Sequence, residues 1–383
     1  MQSSDSQLKA LEFFAGGGLA RLGLEPHFEC VFANDIDPMK ADVYRANFGD
    51  AHLNVGDVWR IKPQSLPTAD LAWASFPCQD LSLAGARKGL NAPRSGTFWG
   101  FWRLVEALAS NERAPDTLAL ENVTGLLSSR GGRDFIALIE TIANSGYRVG
   151  AMVLDAEMFT PQSRQRLFII AYKGRIPKGL EAGPRPHFHP PAMQSLVSRM
   201  DSATQMAWIW WRLPDAPKRN TQLEDILDRE VDPALWRSEE ACQKLINQMA
   251  PQHFTRFEAA LAENTFRAGA VYRRIRMEQG HKIQRAEVRY DGLAGCLRTP
   301  AGGSSKQLLL ITENKKARLR PLSSREAARL MGLDETYRLP TKETPALKVL
   351  GDGVSTSVVR WLTENLLAPL NAEKRLHTKE KAA

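Results

Sequence analysis

The sequence predicts an α/β protein: a doubly wound, mostly parallel sheet with a second, smaller domain. Three observations carry this expectation. Short apolar runs alternate with helically spaced segments through the first half of the chain, which implies right-handed crossovers between parallel strands. The first run ends in a glycine turn, Phe14-Ala15-Gly16-Gly17-Gly18. After Lys173 the alternation stops, and an irregular, basic stretch follows.

Residues 8–14 form the first strand candidate and residues 27–34 the second, with a helix over 38–48 that opens on Pro38. Residues 69–76, 117–120, 148–154 and 167–172 are further apolar runs of strand length. The segments 98–109 and 135–145 carry helical spacing between them. In such sheets ligands bind at the carboxyl ends of the strands. The glycine turn, Pro77-Cys78 and Glu121-Asn122 all fall at those ends. Residues 177–191, rich in proline, glycine and histidine, read as a linker. A serine-capped helix with a glycine stop is expected over 323–332, and a strongly apolar one over 354–367. The cluster Trp208-Ile209-Trp210-Trp211 reads as core or domain interface.

A chain of 383 residues is long enough for a full core and two domains. Its net charge of +8 suits a polyanionic partner, though charge alone is weak support. The four cysteines, Cys30, Cys78, Cys242 and Cys296, contain no CxxC pair, so no zinc site and no disulfide scaffold are expected. No apolar stretch approaches the length of a membrane span, and the polar first nine residues lack a signal-peptide core. A reducing, cytoplasmic setting fits, and a free catalytic thiol needs one.

Cys78 follows a proline that cannot continue a central strand, so it belongs to a turn. Residues 80–97 after it are small, polar and basic, the make-up of a loop that closes over a substrate. A thiol at that address is a candidate nucleophile once ionised; an inert buried cysteine is the bland alternative. Glu121 ends an apolar run and is a candidate acid beside it. Arg164 and Arg166, in Gln162-Ser163-Arg164-Gln165-Arg166, lie two apart, so alternation puts them on one face. They are able to hold a base oxygen, a phosphate or Glu121 itself. Asp35 ends the second strand, the usual address of an acid that takes ribose hydroxyls, and Asp57 follows the next run; either is also a plausible helix cap.

Glycine turn, Pro-Cys, Glu-Asn-Val, arginine pair and the closing segment Leu350-Gly351-Asp352-Gly353-Val354-Ser355 occur in an order that resembles the DNA cytosine-C5 methyltransferases. The resemblance implies the S-adenosylmethionine-dependent methyltransferase fold, with residues 1–180 as catalytic and cofactor-binding domain and 181–320 as target-recognition domain. Residues 321–370 would return to the catalytic domain, and 371–383 would form a disordered tail. It implies a cofactor pocket of Phe14, Ala15, Gly16, Gly18, Asp35, Ile36, Asp57, Val58, Pro77, Asp352 and Val354. S-adenosylhomocysteine is then the product, and no metal is needed. Cys78 would add to C6 of a flipped-out cytosine, Glu121 would relieve charge at N3, and Arg166, with Arg164 as its neighbour, would contact the base. The family pattern usually has asparagine where this chain has Asp352, which leaves that cofactor contact open. The implied partner is double-stranded DNA, with a restriction endonuclease as an associated protein, no membrane and a monomeric state. The implied setting is the cytoplasm of a bacterial or phage-infected cell. Alternatives are a tRNA cytosine-C5 methyltransferase and a catalytically silent DNA-binding relative. A nicotinamide-dependent oxidoreductase is suggested by the glycine turn alone.

Overall fold

A computed structural model describes residues 7–77, 96–278, 280–299 and 306–372. They fall into two units. The first holds the chain up to residue 155, Gln165–Asp215 and everything from residue 356; the second holds Ala156–Arg164 and Ala216–Ser355.

In the first unit the elements in chain order are β1 (Leu8–Phe13), α1 (Leu19–Leu24), β2 (Phe28–Asp35), α2 (Pro38–Phe48), β3 (Leu53–Val55) and β4 (Leu71–Ala74). They continue as α3 (Thr97–Ala109), β5 (Thr117–Val123), α4 (Arg133–Asn144), β6 (Arg148–Asp155), β7 (Gln165–Tyr172), α5 (Pro191–Val197) and α6 (Ser202–Ala207). The strands order as β3-β2-β1-β4-β5-β7-β6 among the described residues. β1 to β5 pair in parallel, and β7 runs antiparallel to β5 and β6. The expected doubly wound, mostly parallel sheet is therefore present. Its core is aromatic: Phe13, Trp73, Phe98, Phe101, Trp102 and Phe135 are almost wholly buried.

Residues 181–215, expected in a second domain, pack in this first unit. The reason is apolar. Trp208, Ile209 and Trp211 are buried, Ile209 N donates to Val149 O at 2.8 Å, and the Trp211 indole donates to Ile170 O at 3.2 Å. The tryptophan cluster thus extends the core over β6 and β7. The helix expected over 354–367 is α11 (Thr356–Leu362), which begins at Thr356 and continues into a wider turn over Thr363–Leu367. Asn371, expected in the tail, is buried and donates to the Thr117 hydroxyl at 2.8 Å; residues 373–383 lie outside the described ones.

α1 packs on α11 with no room to spare. A Cβ added at Gly23 would lie 2.4 Å from Val359 Cβ and 2.9 Å from the Arg360 amide. Gly23→Ala is therefore expected to destabilise the protein by about 1–3 kcal/mol through overpacking. Thermal or urea unfolding reads this directly, and an unchanged midpoint would contradict the close approach.

The second unit carries α7 (Glu239–Asn247), α8 (Pro251–Ala262), β8 (Arg267–Glu278), β9 (His281–Arg289), β10 (Leu308–Glu313), β11 (Lys316–Pro321), α9 (Ser324–Leu330) and α10 (Glu343–Asp352). Its strands form an antiparallel sheet in the order β11-β10-β8-β9. Leu245, Ile246 and Phe257 from the helices, with Met249 between them, pack on Val271, Ala286, Val288, Leu310 and Leu319. Part of the stretch read as irregular is therefore ordered helix and sheet. α9 starts as expected on Ser323, which forms a reciprocal capping box with Glu326. Glu326 also takes both guanidinium nitrogens of Arg320 at 2.7 Å, with both side chains fully buried. That pair, with Arg329 bonded to Ile226 O and Asp228, keeps residues 321–355 in this unit rather than with the first.

Candidate active site

β1 runs straight into the glycine turn because its apolar residues stop at Phe14, which has φ 58°. Two of the glycines differ in what they permit. Gly16 has φ 57°, and a Cβ placed on it would meet open space within 4 Å. Gly18 has φ 81°, and its Cβ would strike the Phe48 ring at 2.3 Å. Gly18 is thus set by packing against α2, while Gly16 leaves backbone exposed to a ligand. Ala15 beside it is buried.

Asp35 fixes this turn to the end of β2. One carboxylate oxygen accepts from Gly16 N at 2.8 Å, the other from Asp37 N at 2.8 Å. Ile36, the next residue, is 66 % exposed, although it is a large apolar side chain between two anchored aspartates. Asn34 reaches sideways: its amide donates to Asn54 O at 3.0 Å and Gly56 O at 2.9 Å, which holds the approach to Asp57. Asp57 caps a short 3-10 turn by accepting from Trp59 N at 3.0 Å. Val58 is buried in the core, and Trp59 is 39 % exposed. Glycine turn, Asp35, Ile36, Asp57 and Trp59 line the carboxyl ends of β1, β2 and β3.

The acid and the second arginine come together on the neighbouring strands. Glu121 on β5 and Arg166 on β7 form an ion pair, Oε1 to Nε 3.1 Å, and both side chains are largely buried. Antiparallel register places Arg166 opposite Val123, two residues beyond Glu121. Asn122 turns the other way and donates to Phe76 O at 3.0 Å. Phe76 is buried and Pro77 is exposed. The backbone leading into Pro77-Cys78 is therefore bonded to the residue next to Glu121. Cys78 itself lies outside the described residues.

Arg164 has a different environment from the expected one. It precedes β7, belongs to the second unit and is 2 % exposed. Its guanidinium donates to Leu297 O at 2.9 Å, Gly351 O at 2.9 Å and Gly353 O at 2.6 Å, and lies 3.3 Å from Cys296 Sγ. An arginine fork spent on three carbonyls ties two loops together. The alternation argument failed because only Arg166 is in the strand. Asp352 ends α10, is exposed and accepts from the Thr299 hydroxyl, while Val354 is buried.

Glu12 was not singled out by the sequence. It sits on β1 just before the turn, 1 % exposed, and accepts from Arg21 N at 3.2 Å. Burial pushes its carboxyl up to about 8, so it is largely protonated at neutral pH. A lone acid inside an apolar strand was the available signal. Asn122 and Asn34 were visible only as motif neighbours; their side-chain bonds are what hold the loops. Among the described residues no group of three or more metal-type ligands occurs, and no helix is long and apolar enough to cross a membrane.

A family model described as C-5 cytosine-specific DNA methylase matches residues 8–368. The Type II methyltransferase M.HhaI of Haemophilus parahaemolyticus is 26% identical over 376 residues, covering 97% of this chain and 98% of that one. M.SsoII of Shigella sonnei is 25% identical over 380 residues, 97% of this chain and 83% of that protein. The crystal structure of the S. pombe Dnmt2 methyltransferase aligns with a TM-score of 0.61 and 17% identity, over 96% of this chain and 99% of that one, a likeness of fold.

Proposed function

From the premise that the chain belongs to the C-5 cytosine-specific DNA methylase family, we propose that it methylates C5 of a flipped-out cytosine within a specific duplex sequence, through a transient bond between Cys78 and C6. The observation that carries this reading is the junction at β4 and β5: Asn122 holds Phe76 O, and Glu121 next to it is held by Arg166.

C5 of cytosine is a weak nucleophile. Addition of the Cys78 thiolate to C6 moves the ring electrons toward N3 and makes C5 enamine-like. Glu121 relieves the charge at N3 by hydrogen bonding or proton donation there. Arg166 fixes the carboxyl group against rotation. Loss of the C5 proton after methylation expels the sulfur and restores the thiolate. S-adenosylmethionine supplies the electrophilic methyl group when bound.

The residues present fit that cofactor. Gly16 leaves an open backbone face, Asp35 is anchored at the second strand end where ribose hydroxyls are taken, and Ile36 and Trp59 expose flat or apolar surface for an adenine ring. Asp57 lies next to Trp59, able to accept from the adenine amine. The target base must leave the helix to reach such a pocket, as the handling of duplex bases by methyltransferases in general requires. Arg164 acts as a positioning residue in this reading, bracing the loops around Leu297 and Asp352.

The test is covalent trapping. Duplex DNA carrying 5-fluorocytosine at the target is expected to form a stable adduct in the presence of S-adenosylmethionine, because fluorine does not leave as a proton does. Peptide mapping should place the adduct on Cys78. Transfer assays on duplex DNA and on tRNA separate this reading from an RNA-modifying one. Transfer to tRNA alone, or an adduct at another residue, would overturn it.

A further inference from the structure

The glycine turn is closed at its base by a buried acid. Three bonds hold it: Glu12 Oε1 accepts from Arg21 N at 3.2 Å, Ala15 N donates to Asn34 O at 2.9 Å, and Asp35 accepts from Gly16 N. Glu12 differs from Asp35 in its setting. Its neighbours across the sheet are Ala33 on β2 and Trp73 on β4, and its Oε2 is buried with no hydrogen-bond partner among the described residues. One amide bond shared by two carboxylate oxygens is poor compensation in apolar surroundings, so the site accommodates the neutral acid.

A polar cluster lies behind the turn. The Arg21 guanidinium donates to Glu25 at 2.9 Å, to the Tyr44 hydroxyl at 3.0 Å and to His52 Nε2 at 2.6 Å. The Tyr44 hydroxyl is also 3.0 Å from His52 Nε2 and 3.6 Å from Cys30 Sγ. The guanidinium carbon of Arg21 sits 4.5 Å from the centre of the Phe48 ring. Phe48 and Tyr44 are the rings that a Cβ on Gly18 would strike. Arg21 therefore links the acid at one end of the turn to the rings that shape the other end.

Around Glu12, α1 brings the charges of Arg21 and Glu25, and β2 brings Asp35 with the Cys30 thiol. Tyr44 comes from α2 and His52 from the turn before β3. The Leu71–Ala74 strand beside it is apolar, and on α11, packed against α1, Arg360 donates to Leu22 O at 3.4 Å. Burial pushes the Cys30 thiol up to about 12, pushes the Tyr44 phenol up and pushes the His52 ring down, so all three stay neutral between pH 7 and 9. Burial also pushes Glu12 up, to about 8, with Arg21 opposing the rise and Asp35 and Glu25 adding to it. The charge that changes in this window is the one on Glu12.

We propose that Glu12 is a positioning residue for the cofactor site: its proton leaves the Arg21 guanidinium on Glu25, Tyr44 and His52, whereas loss of the proton draws that guanidinium toward the carboxylate, unseats Phe48 and Tyr44 from Gly18 and loosens the turn that presents Gly16. This rests on the use of S-adenosylmethionine proposed above. Affinity for the cofactor then weakens as pH rises through about 8. The folded value lies above the ordinary 4.5, so the stability that neutral Glu12 contributes is complete below 4.5 and is lost as pH rises to about 8.

The experiment compares wild type, Glu12→Gln and Arg21→Met in the absence of DNA. Glu12→Gln keeps an acceptor for Arg21 N and does not ionise; Arg21→Met removes the group that would be drawn. S-adenosylmethionine binding is measured by calorimetry at pH 7 and pH 9, and thermal unfolding of the cofactor-free proteins from pH 5 to pH 10. The amino group of the cofactor titrates in the same range, so each affinity is read as a ratio to wild type, in which that group cancels. Wild type is expected to lose about 10-fold more affinity than Glu12→Gln between pH 7 and pH 9. Its unfolding midpoint should fall relative to that of Glu12→Gln as pH rises to about 8 and run parallel above. Arg21→Met should lose as little affinity with pH as Glu12→Gln, which keeps the test open if the glutamine variant does not fold. Unfolding midpoints of wild type and Glu12→Gln that run parallel throughout would overturn the proposal. So would a wild-type to Glu12→Gln affinity ratio that stays constant from pH 7 to pH 9, since the acid would then serve the fold alone. An Arg21→Met protein that loses affinity with pH as wild type does would overturn the route through Arg21. Wild type that binds no S-adenosylmethionine at either pH removes the cofactor reading; binding with any of the other three results removes this inference alone.

Discussion

Cys78→Ser is expected to abolish methyl transfer, by about 10⁴-fold or more, while S-adenosylmethionine binding stays within a few-fold of wild type. The asymmetry follows from where the groups sit. The surfaces proposed for the cofactor, Gly16, Asp35, Ile36 and Trp59, belong to the ends of β1 and β2 and the turn after β3. The proposed reaction depends on the Cys78 side chain, because a serine hydroxyl is far harder to ionise than a thiol and adds poorly to an aromatic ring. Single-turnover transfer of a labelled methyl group and equilibrium dialysis of the cofactor report the two quantities separately. Residual turnover above a tenth of wild type would rule out Cys78 as nucleophile. Loss of cofactor binding in step with turnover would point to a disturbed fold instead.

How much of this was legible in the sequence depended on the kind of signal. β1 and its glycine turn were readable because strand and turn are contiguous, and Asp35 because it ends the next apolar run; the bond from Gly16 N to Asp35, 19 residues along the chain, left no local trace. Pro77 marked a strand end for the same reason. Arg164 was misplaced by an argument one residue too generous: β7 starts at Gln165, so alternation never reached it. Its true contacts, at Leu297, Gly351 and Gly353, are more than 130 residues away along the chain and leave no local trace. The boundary at 180 failed because the linker composition of 177–191 was real but not a domain edge; the buried Trp208 and Trp211 decide the packing. β8 and β9 escaped notice because charged residues dominate them. A strand that carries arginines on both faces at its outer end is ordered by its ladder and by its base, not by apolar alternation.

Glu121→Gln should lower the rate of methyl transfer by about 10²–10⁴-fold at an unchanged cofactor affinity. The substitution keeps the side-chain volume and leaves an oxygen for Arg166, so the β5–β7 contact at 3.1 Å is the least disturbed part of the site. What disappears, in the proposed mechanism, is the exchangeable proton and the charge that stabilise the ring during sulfur addition. Arg166→Met is the complementary cut. It leaves a carboxylate that is only 9 % exposed without its counter-charge, and breaking such a pair costs stability, about 3–5 kcal/mol where burial is complete and less here. The rate falls because the acid is no longer aimed. If the two residues act as one unit, the double variant loses much less than the product of the single losses, a coupling of about 1–3 kcal/mol. Single-turnover rates of the four proteins, with thermal unfolding to separate stability from chemistry, close the cycle. Independent, multiplicative losses would mean that Arg166 contacts the substrate on its own account, and a Glu121→Gln protein as fast as wild type would remove the acid from the mechanism altogether.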